Sequence, residues 1–240
     1  MSLLRSWFGG GGDLPQPLAR AVAAWRELPE PDLDRPLSDL RWVVVDTEAS
    51  GLDPARDRLL AVGACAIRNK MLCLSETFEA CLRQEQPSSE ENILVHGISG
   101  GAQLAGEDPA EALVAFLGFL GADMVVAFHA GFDARLITRA LRAHLGVKLR
   151  RNWFDAGRLL AALLPEDTHG KHSLDHWLER FGVSAYSRHD PLSDATATAE
   201  LVLVALELAI ARGIGTAREL HALCAAHKEL SRLHGPRGWS

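Results

Sequence analysis

Two acidic residues, Asp46 and Glu48, follow the short apolar run Trp42-Val43-Val44-Val45. Alternate residues of a strand point to the same side, so we expect both carboxylates to leave one face of a sheet together. Two ionised carboxylates at this distance repel each other, and a divalent cation held between them removes the repulsion. The pair therefore predicts a metal site or, as the plainer alternative, a solvated strand end.

Two later segments carry acids and a histidine that could join this pair. Asp133 follows an apolar stretch and a glycine, and Asp194 lies five residues after His189, at the start of a long apolar stretch. Each acid also has a plainer interpretation, because acids at a helix start complement the helix dipole or cap the first turn. Taken together, the three segments offer four carboxylates for divalent cations and one imidazole for proton transfer.

The order of these segments resembles that of the DEDDh, or DnaQ-like, family of 3′–5′ exonucleases, the superfamily of the proofreading epsilon subunit of bacterial DNA polymerase III. Residues 46–54, Asp-Thr-Glu-Ala-Ser-Gly-Leu-Asp-Pro, are similar to the first motif of the family. The second motif ends in Phe-Asp at 132–133, and the third reads His, four residues, Asp-Ala at 189–195. His96-Gly97-Ile98 matches a further typical segment. The resemblance covers roughly residues 41–205.

This resemblance implies a set of roles. Two divalent cations, Mg²⁺ or Mn²⁺, would be held by four carboxylates, those of Asp46, Glu48, Asp133 and Asp194. His189 would be the general base that takes a proton from the attacking water. Three substrate contacts are also implied: the 3′-terminal sugar would meet Ala49 and Ser50, the terminal base would meet Leu52, and the nucleotide pocket would be lined by His96.

The implied activity is metal-dependent 3′–5′ hydrolysis of single-stranded DNA or RNA ends to nucleoside 5′-monophosphates. One alternative keeps the fold but acts as an exoribonuclease on short oligonucleotides. Another is a non-catalytic module that docks on a polymerase or repair assembly, although the presence of all five site residues argues against it. The expected partners are single-stranded 3′ ends and a polymerase or repair protein, with no membrane.

The remaining pattern predicts the elements that must position these residues. Apolar runs predict strands at 42–45, 59–67, 71–78 and 124–128. Helical spacing predicts helices at 109–120, 132–144, 155–164, 174–181, 192–211 and 217–233, and a mixed segment at 88–98 is also compatible with helix. A strand meander followed by alternating helices and strands indicates the α/β class with a mixed sheet. By resemblance the fold is the ribonuclease H-like sheet flanked by helices.

The segment boundaries follow from composition. Residues 1–40 contain a glycine run, a helical stretch and three prolines, and predict an N-terminal helical and linker appendage. Residues 41–212 would form the exonuclease domain, and residues 213–240 a C-terminal helix and tail.

The composition excludes several classes. The chain has 240 residues and a formal charge of −6, so no strongly basic nucleic-acid coat is present. No run approaches the roughly 20 apolar residues of a membrane span. The four cysteines form no CxxC pair, and the N-terminus contains no signal-like apolar region. A cytoplasmic location is therefore expected.

Two further groups of side chains permit competing interpretations. A series of cations following Asp133 predicts a phosphate-guiding patch or a solvated helix face: Arg135, Arg139, Arg142, Lys148, Arg150 and Arg151. His169, His172 and His176 are close in sequence, but a loop and helix start explain them better than a zinc site.

Overall fold

The computed structural model describes residues 14–149, 153–167 and 173–233. Five strands form one sheet: β1 (Trp42–Ala49), β2 (Leu59–Arg68), β3 (Met71–Cys81), β4 (Met124–Ala127) and β5 (Trp153–Asp155).

The helices in the described residues are α1 (Gln16–Arg26), α2 (Glu90–His96), α3 (Gly100–Ala105), α4 (Pro109–Leu120), α5 (Gly131–Leu145), α6 (Ala156–Leu163), α7 (Leu174–Phe181), α8 (Pro191–Ala211) and α9 (Ala217–Leu233). Short 3₁₀ turns occur at Leu37–Asp39 and Pro165–Asp167.

The sheet is mixed, with the strand order β3-β2-β1-β4-β5. β1 pairs antiparallel with β2 and parallel with β4. β3 pairs antiparallel with β2 at one edge of the sheet, and β5 pairs parallel with β4 at the other. The predicted α/β class with a mixed sheet flanked by helices is confirmed.

Strand β1 is buried on both sides, which explains its continuous apolar run. Val43 and Val45 pack in one core cluster with residues of α4 and α5, whereas Trp42 and Val44 pack in the other with residues of α6 and α8. This alternation places α4 and α5 on one face of the sheet and α8 on the other. The side chains of β1 beyond Val45 continue to alternate between these two faces.

β1 continues to Ala49, so Asp46 and Glu48 lie at the end of the strand, as expected from the sequence. The structure differs from the predicted elements in two places. β5 has only three residues, and α3 only six, and neither is long enough to show a period in sequence. Both are stabilised by tertiary contacts, since β5 pairs with β4 and the side chain of Gln103 on α3 is fully buried.

Residues 14–40 contact the rest of the chain. Val22 of α1 is buried in the α4 and α5 cluster, and the indole of Trp25 donates to the Gly121 carbonyl. Leu37 packs in the opposite cluster, and its amide donates to the Gly215 carbonyl. The three-segment division stays a prediction. Across the described ranges, none of the helices is long and apolar enough to cross a membrane.

Candidate active site

The C-terminal half of β1 supplies three consecutive side chains to the site. Asp46 and Glu48 continue the face on which α8 packs, and Thr47 continues the face of α5. The Thr47 hydroxyl donates a 2.7 Å hydrogen bond to Oδ1 of Asp133. One strand therefore carries two acids and also anchors a third.

Asp133 reaches this position because β4 is the parallel neighbour of β1, so the two strands end at the same edge of the sheet. A tight turn with His129 at φ 59° leads from β4 into α5, and Asp133 lies in the first helical turn. Its side chain is buried.

The start of α8 carries Asp194 onto the sheet next to Asp46. Gly63, the antiparallel partner of Asp46, permits this approach. A Cβ at Gly63 would lie 2.2 Å from the amide nitrogen of Leu192 and 2.2 Å from the carbonyl carbon of Pro191. Only a residue without a side chain allows the helix backbone to pack this closely.

The loop before α8 holds His189 at the mouth of the site. Its backbone is left-handed, at φ 63°, and its amide donates a 3.0 Å hydrogen bond to Oδ2 of Asp194. His189 is exposed to solvent. The neighbouring Arg188 contacts Oδ1 of Asp194 through Nη1, and its Nε donates to Asp175 on α7 at 2.9 Å.

The acids interact strongly with one another. Burial raises the pKa of Glu48 to about 8, and the charges of Asp194 and Asp133 contribute. Burial and the charges of Asp133, Glu48 and Asp194 raise the pKa of Asp46 well above its usual value. Burial also raises the pKa of Asp133 to about 7, although its hydrogen bond with Thr47 opposes the shift. The site is therefore a cluster of acids in which several negative charges are unfavourable without a neutralising partner.

This cluster fits divalent cations by its chemistry. Carboxylate oxygens are the ligands that Mg²⁺ and Mn²⁺ prefer, and a cation removes the repulsion that raises the pKa values of Asp46 and Glu48. In the described ranges, no three His, Cys, Asp or Glu side chains stand ready to hold one ion together. Two of the four acids have other partners, because Asp133 accepts from Thr47 and Asp194 contacts Arg188.

A cleft of about 640 Å³ lies beside this cluster. One wall is the end of α2 and the following turn, with His96, and the other is the loop 187–191 with His189. The buried ring of His96 is fixed: Nδ1 accepts from the Ile98 amide at 2.9 Å, and Nε2 lies 2.9 Å from Oδ1 of Asn92. His96 and His189 thus line the same cleft.

The end of β1 and the turn after it carry the other predicted substrate contacts. Ala49 is buried, and Ser50 is fixed by the Arg58 amide, which donates to its hydroxyl at 2.9 Å. Leu52 is 94% exposed, which is unusual for leucine and leaves its side chain available for contact.

The predicted basic patch is divided. Arg139 lines a second cleft of about 290 Å³ with Arg58 and Arg83, whereas Arg135 and Arg142 are exposed elsewhere on α5. Exposed Lys148 follows that helix. Four of the residues discussed above lie outside the described ranges, namely Arg150, Arg151, His169 and His172.

Three residues without a predicted role shape this geometry: Thr47, Gly63 and Arg188. The role of Thr47 could have been predicted, because it lies between the two acids in a strand and its side chain must therefore point to the opposite face. No sequence signal identifies Gly63, because its role depends on the packing of α8 against β2.

Comparison with known proteins agrees with this geometry. A sequence model of the exonuclease family RNase_T matches residues 43–202. A PolC-type DNA polymerase III from Thermotoga maritima is 28% identical over 190 residues, which are 79% of this chain and 14% of that protein. The DNA polymerase III epsilon subunit of Rickettsia typhi is 30% identical over 179 residues, 71% of this chain and 75% of that protein.

The fold has solved counterparts. The structure of Exonuclease X in complex with 5′-overhanging duplex DNA superposes with a TM-score of 0.58 at 17% identity, covering 76% of this chain and 99% of that chain. The ribonuclease H-like fold class predicted from the resemblance is confirmed. This chain spans about a seventh of the length of the PolC-type relative. The family match over residues 43–202 and the similarity to the epsilon subunit show that the chain belongs to the DnaQ-like exonuclease family.

Proposed function

We propose that this chain is a metal-dependent 3′–5′ exonuclease that shortens single-stranded DNA or RNA and releases nucleoside 5′-monophosphates. The observation that carries the proposal is the meeting of Asp46, Glu48, Asp133 and Asp194 at one sheet edge, beside the exposed His189. Family membership supports it.

The four carboxylates would hold two divalent cations, Mg²⁺ or Mn²⁺. Such a pair stabilises the charge on the attacking and leaving oxygens of an in-line displacement. Thr47 keeps Asp133 oriented toward the site. The imidazole of His189, on the cleft wall, takes the proton from the attacking water.

The substrate would lie across the cleft and the turn beside it. Ala49 and Ser50 would meet the 3′-terminal sugar, and exposed Leu52 would pack against the terminal base. His96 would line the nucleotide pocket from the opposite wall. A polymerase or repair partner is a further part of the proposal, supported by the names of the two relatives. The four free cysteines support a cytoplasmic location.

The test uses a 5′-labelled single-stranded DNA and the RNA of the same sequence, incubated with Mg²⁺, Mn²⁺ or EDTA. We expect metal-dependent shortening from the 3′ end, and none by Asp46→Asn, whose side chain keeps its shape but loses its charge. Circular dichroism of the variant controls for folding. Equal shortening by wild type and variant, or shortening in EDTA, would contradict the proposal.

The same assay separates the substrates. The ratio of DNA to RNA turnover identifies the preferred sugar, and a dinucleotide tested beside a long strand identifies the preferred length. Turnover of the dinucleotide alone would favour the short-oligonucleotide exoribonuclease. A folded protein that shortens no substrate would favour the docking module.

A further inference from the structure

Arg188 lies within the acid cluster rather than beside it. Its Nη1 contacts Oδ1 of Asp194, and that aspartate side chain is only 6% exposed. The positive charge also lowers the pKa values of Asp46 and Glu48, against the stronger effects that raise them. A single guanidinium therefore neutralises part of the charge of three of the four carboxylates.

The loop engages both oxygens of Asp194. Arg188 contacts Oδ1, and the His189 amide donates to Oδ2 at 3.0 Å. A backbone amide leaves a lone pair on Oδ2 and carries no net charge, so it is compatible with a cation on the same carboxylate. A guanidinium on Oδ1 competes with a cation, because it occupies one side of this oxygen and its positive charge repels a second cation.

Arg188 also has a second acidic partner. Its Nε donates to Oδ1 of Asp175, which stands on α7 with 71% of its side chain exposed. The side chain can thus release Asp194 while Asp175 still holds it. The guanidinium then stays at the wall of the cleft, which Arg188 itself lines.

We propose that Arg188 is an internal competitor for the metal site: its guanidinium and a divalent cation exclude each other at Oδ1 of Asp194, so this residue sets the metal affinity. The inference rests on the proposed function, because it requires that Asp194 be a metal ligand. Arg188 thus has a positioning role: its guanidinium moves away from the carboxylates when the cation binds.

The test measures Mn²⁺ binding in the absence of nucleic acid, by electron paramagnetic resonance of the free ion. Arg188→Gln should bind Mn²⁺ at least about 10-fold more tightly than wild type, since an opposite charge at this distance shifts carboxylate protonation by one to three pKa units. Arg188→Lys, which keeps the charge, should stay close to wild type. Arg212→Gln, at the far end of α8, is the matched control and should bind as wild type does.

Thermal unfolding provides a second readout. In EDTA, Arg188→Gln should unfold at a lower temperature than wild type, because the carboxylates have lost their neutralising charge. Saturating Mn²⁺ should then raise its unfolding temperature by more than it raises that of wild type. A structural role of Arg188 alone would lower both temperatures equally.

The outcomes separate the two proposals. If wild type binds Mn²⁺ and Asp194→Asn does not, but Arg188→Gln binds with unchanged or weaker affinity, the competition is overturned and the metal site stands. If neither wild type nor Arg188→Gln binds Mn²⁺ or Mg²⁺, the metal-dependent function itself is overturned.

Discussion

At the scale of single residues, the acids of the site oppose the stability of the fold. Glu48 has a pKa of about 8 in the folded chain against an ordinary value of 4.5, so the folded state retains a proton that the unfolded state loses between these pH values. The associated stability is complete below pH 4.5 and is lost as the pH rises through 8.

Glu48→Gln should therefore stabilise the protein at high pH. In EDTA at pH 8.5, we expect its free energy of unfolding to exceed that of wild type by at least about 1.4 kcal/mol, the equivalent of one pKa unit. At pH 4.5 the difference should be small, because the wild-type side chain is then protonated in the folded state and only half ionised in the unfolded state. Chemical denaturation at the two pH values measures this, with the exposed Glu200→Gln as control. A variant less stable than wild type at pH 8.5 would refute the expectation.

The backbone at His189 decides which substitution tests its proposed role. At φ 63° most side chains are strained, whereas asparagine tolerates this region, so His189→Asn removes the imidazole and keeps the amide that contacts Asp194. We expect kcat to fall by about 10²- to 10⁴-fold with KM changed little, as for loss of a general base. Steady-state kinetics on a single-stranded oligonucleotide measures both constants, and an unchanged kcat would remove His189 from the role of base.

At the scale of elements, the site depends on how closely α8 approaches β2. Gly63→Ala would place a Cβ 2.2 Å from the backbone of Pro191 and Leu192, so the start of α8 must shift away from the sheet. We expect a loss of about 1–3 kcal/mol in stability, typical of overpacking, and at least a tenfold loss of kcat because Asp194 moves with the helix.

Gly118→Ala is the matched control for this substitution. Gly118 lies within α4, and a Cβ there meets no atom within 4 Å. Alanine should leave kcat unchanged and add about 0.5–1 kcal/mol to the stability, since glycine is unfavourable inside a helix. Assay and thermal unfolding of both variants check this, and a Gly63→Ala enzyme as active as the control would show that the helix start tolerates displacement.

The sequence was sufficient to predict most of these elements, for physical reasons that differ between them. β1 and β2 have continuous apolar runs because they are buried on both faces, and α8 begins at Pro191 with Asp190 as its cap. β5 and α3 escaped prediction because they are too short to show a period. The approach allowed by Gly63 and the placement of Arg188 depend on contacts between distant segments, which no local pattern encodes.

At the scale of the whole molecule, the proposed nucleic-acid substrate would have to bind to a chain with a formal charge of −6. Positive charge is clustered locally: Arg58, Arg83 and Arg139 line one cleft, and α5 connects that cleft to the site through Asp133 in its first turn. Such a cleft can contact the phosphates of a long strand despite the overall charge.

Arg139→Gln should therefore weaken the binding of a long single strand in a salt-dependent way. In the inactive Asp46→Asn background, we expect the slope of log affinity against log salt to fall by about 0.7, the value for one lost phosphate contact on a single strand. Arg142→Gln, an exposed residue of the same helix, is the control. Equal slopes in both variants, measured by fluorescence anisotropy, would show that the second cleft does not contact the strand.

The four acids come from positions 46, 48, 133 and 194, and β1 meets its parallel partner β4 only after 82 intervening steps along the chain, from Trp42 to Met124. Long-range closures of this kind are slow relative to the local β2–β3 hairpin. On refolding, nuclease activity should thus return with the slowest phase, after most secondary structure has formed. A chain synthesised only as far as β5 lacks Asp194, so the proposed hydrolytic chemistry cannot arise before α8 has packed on the sheet.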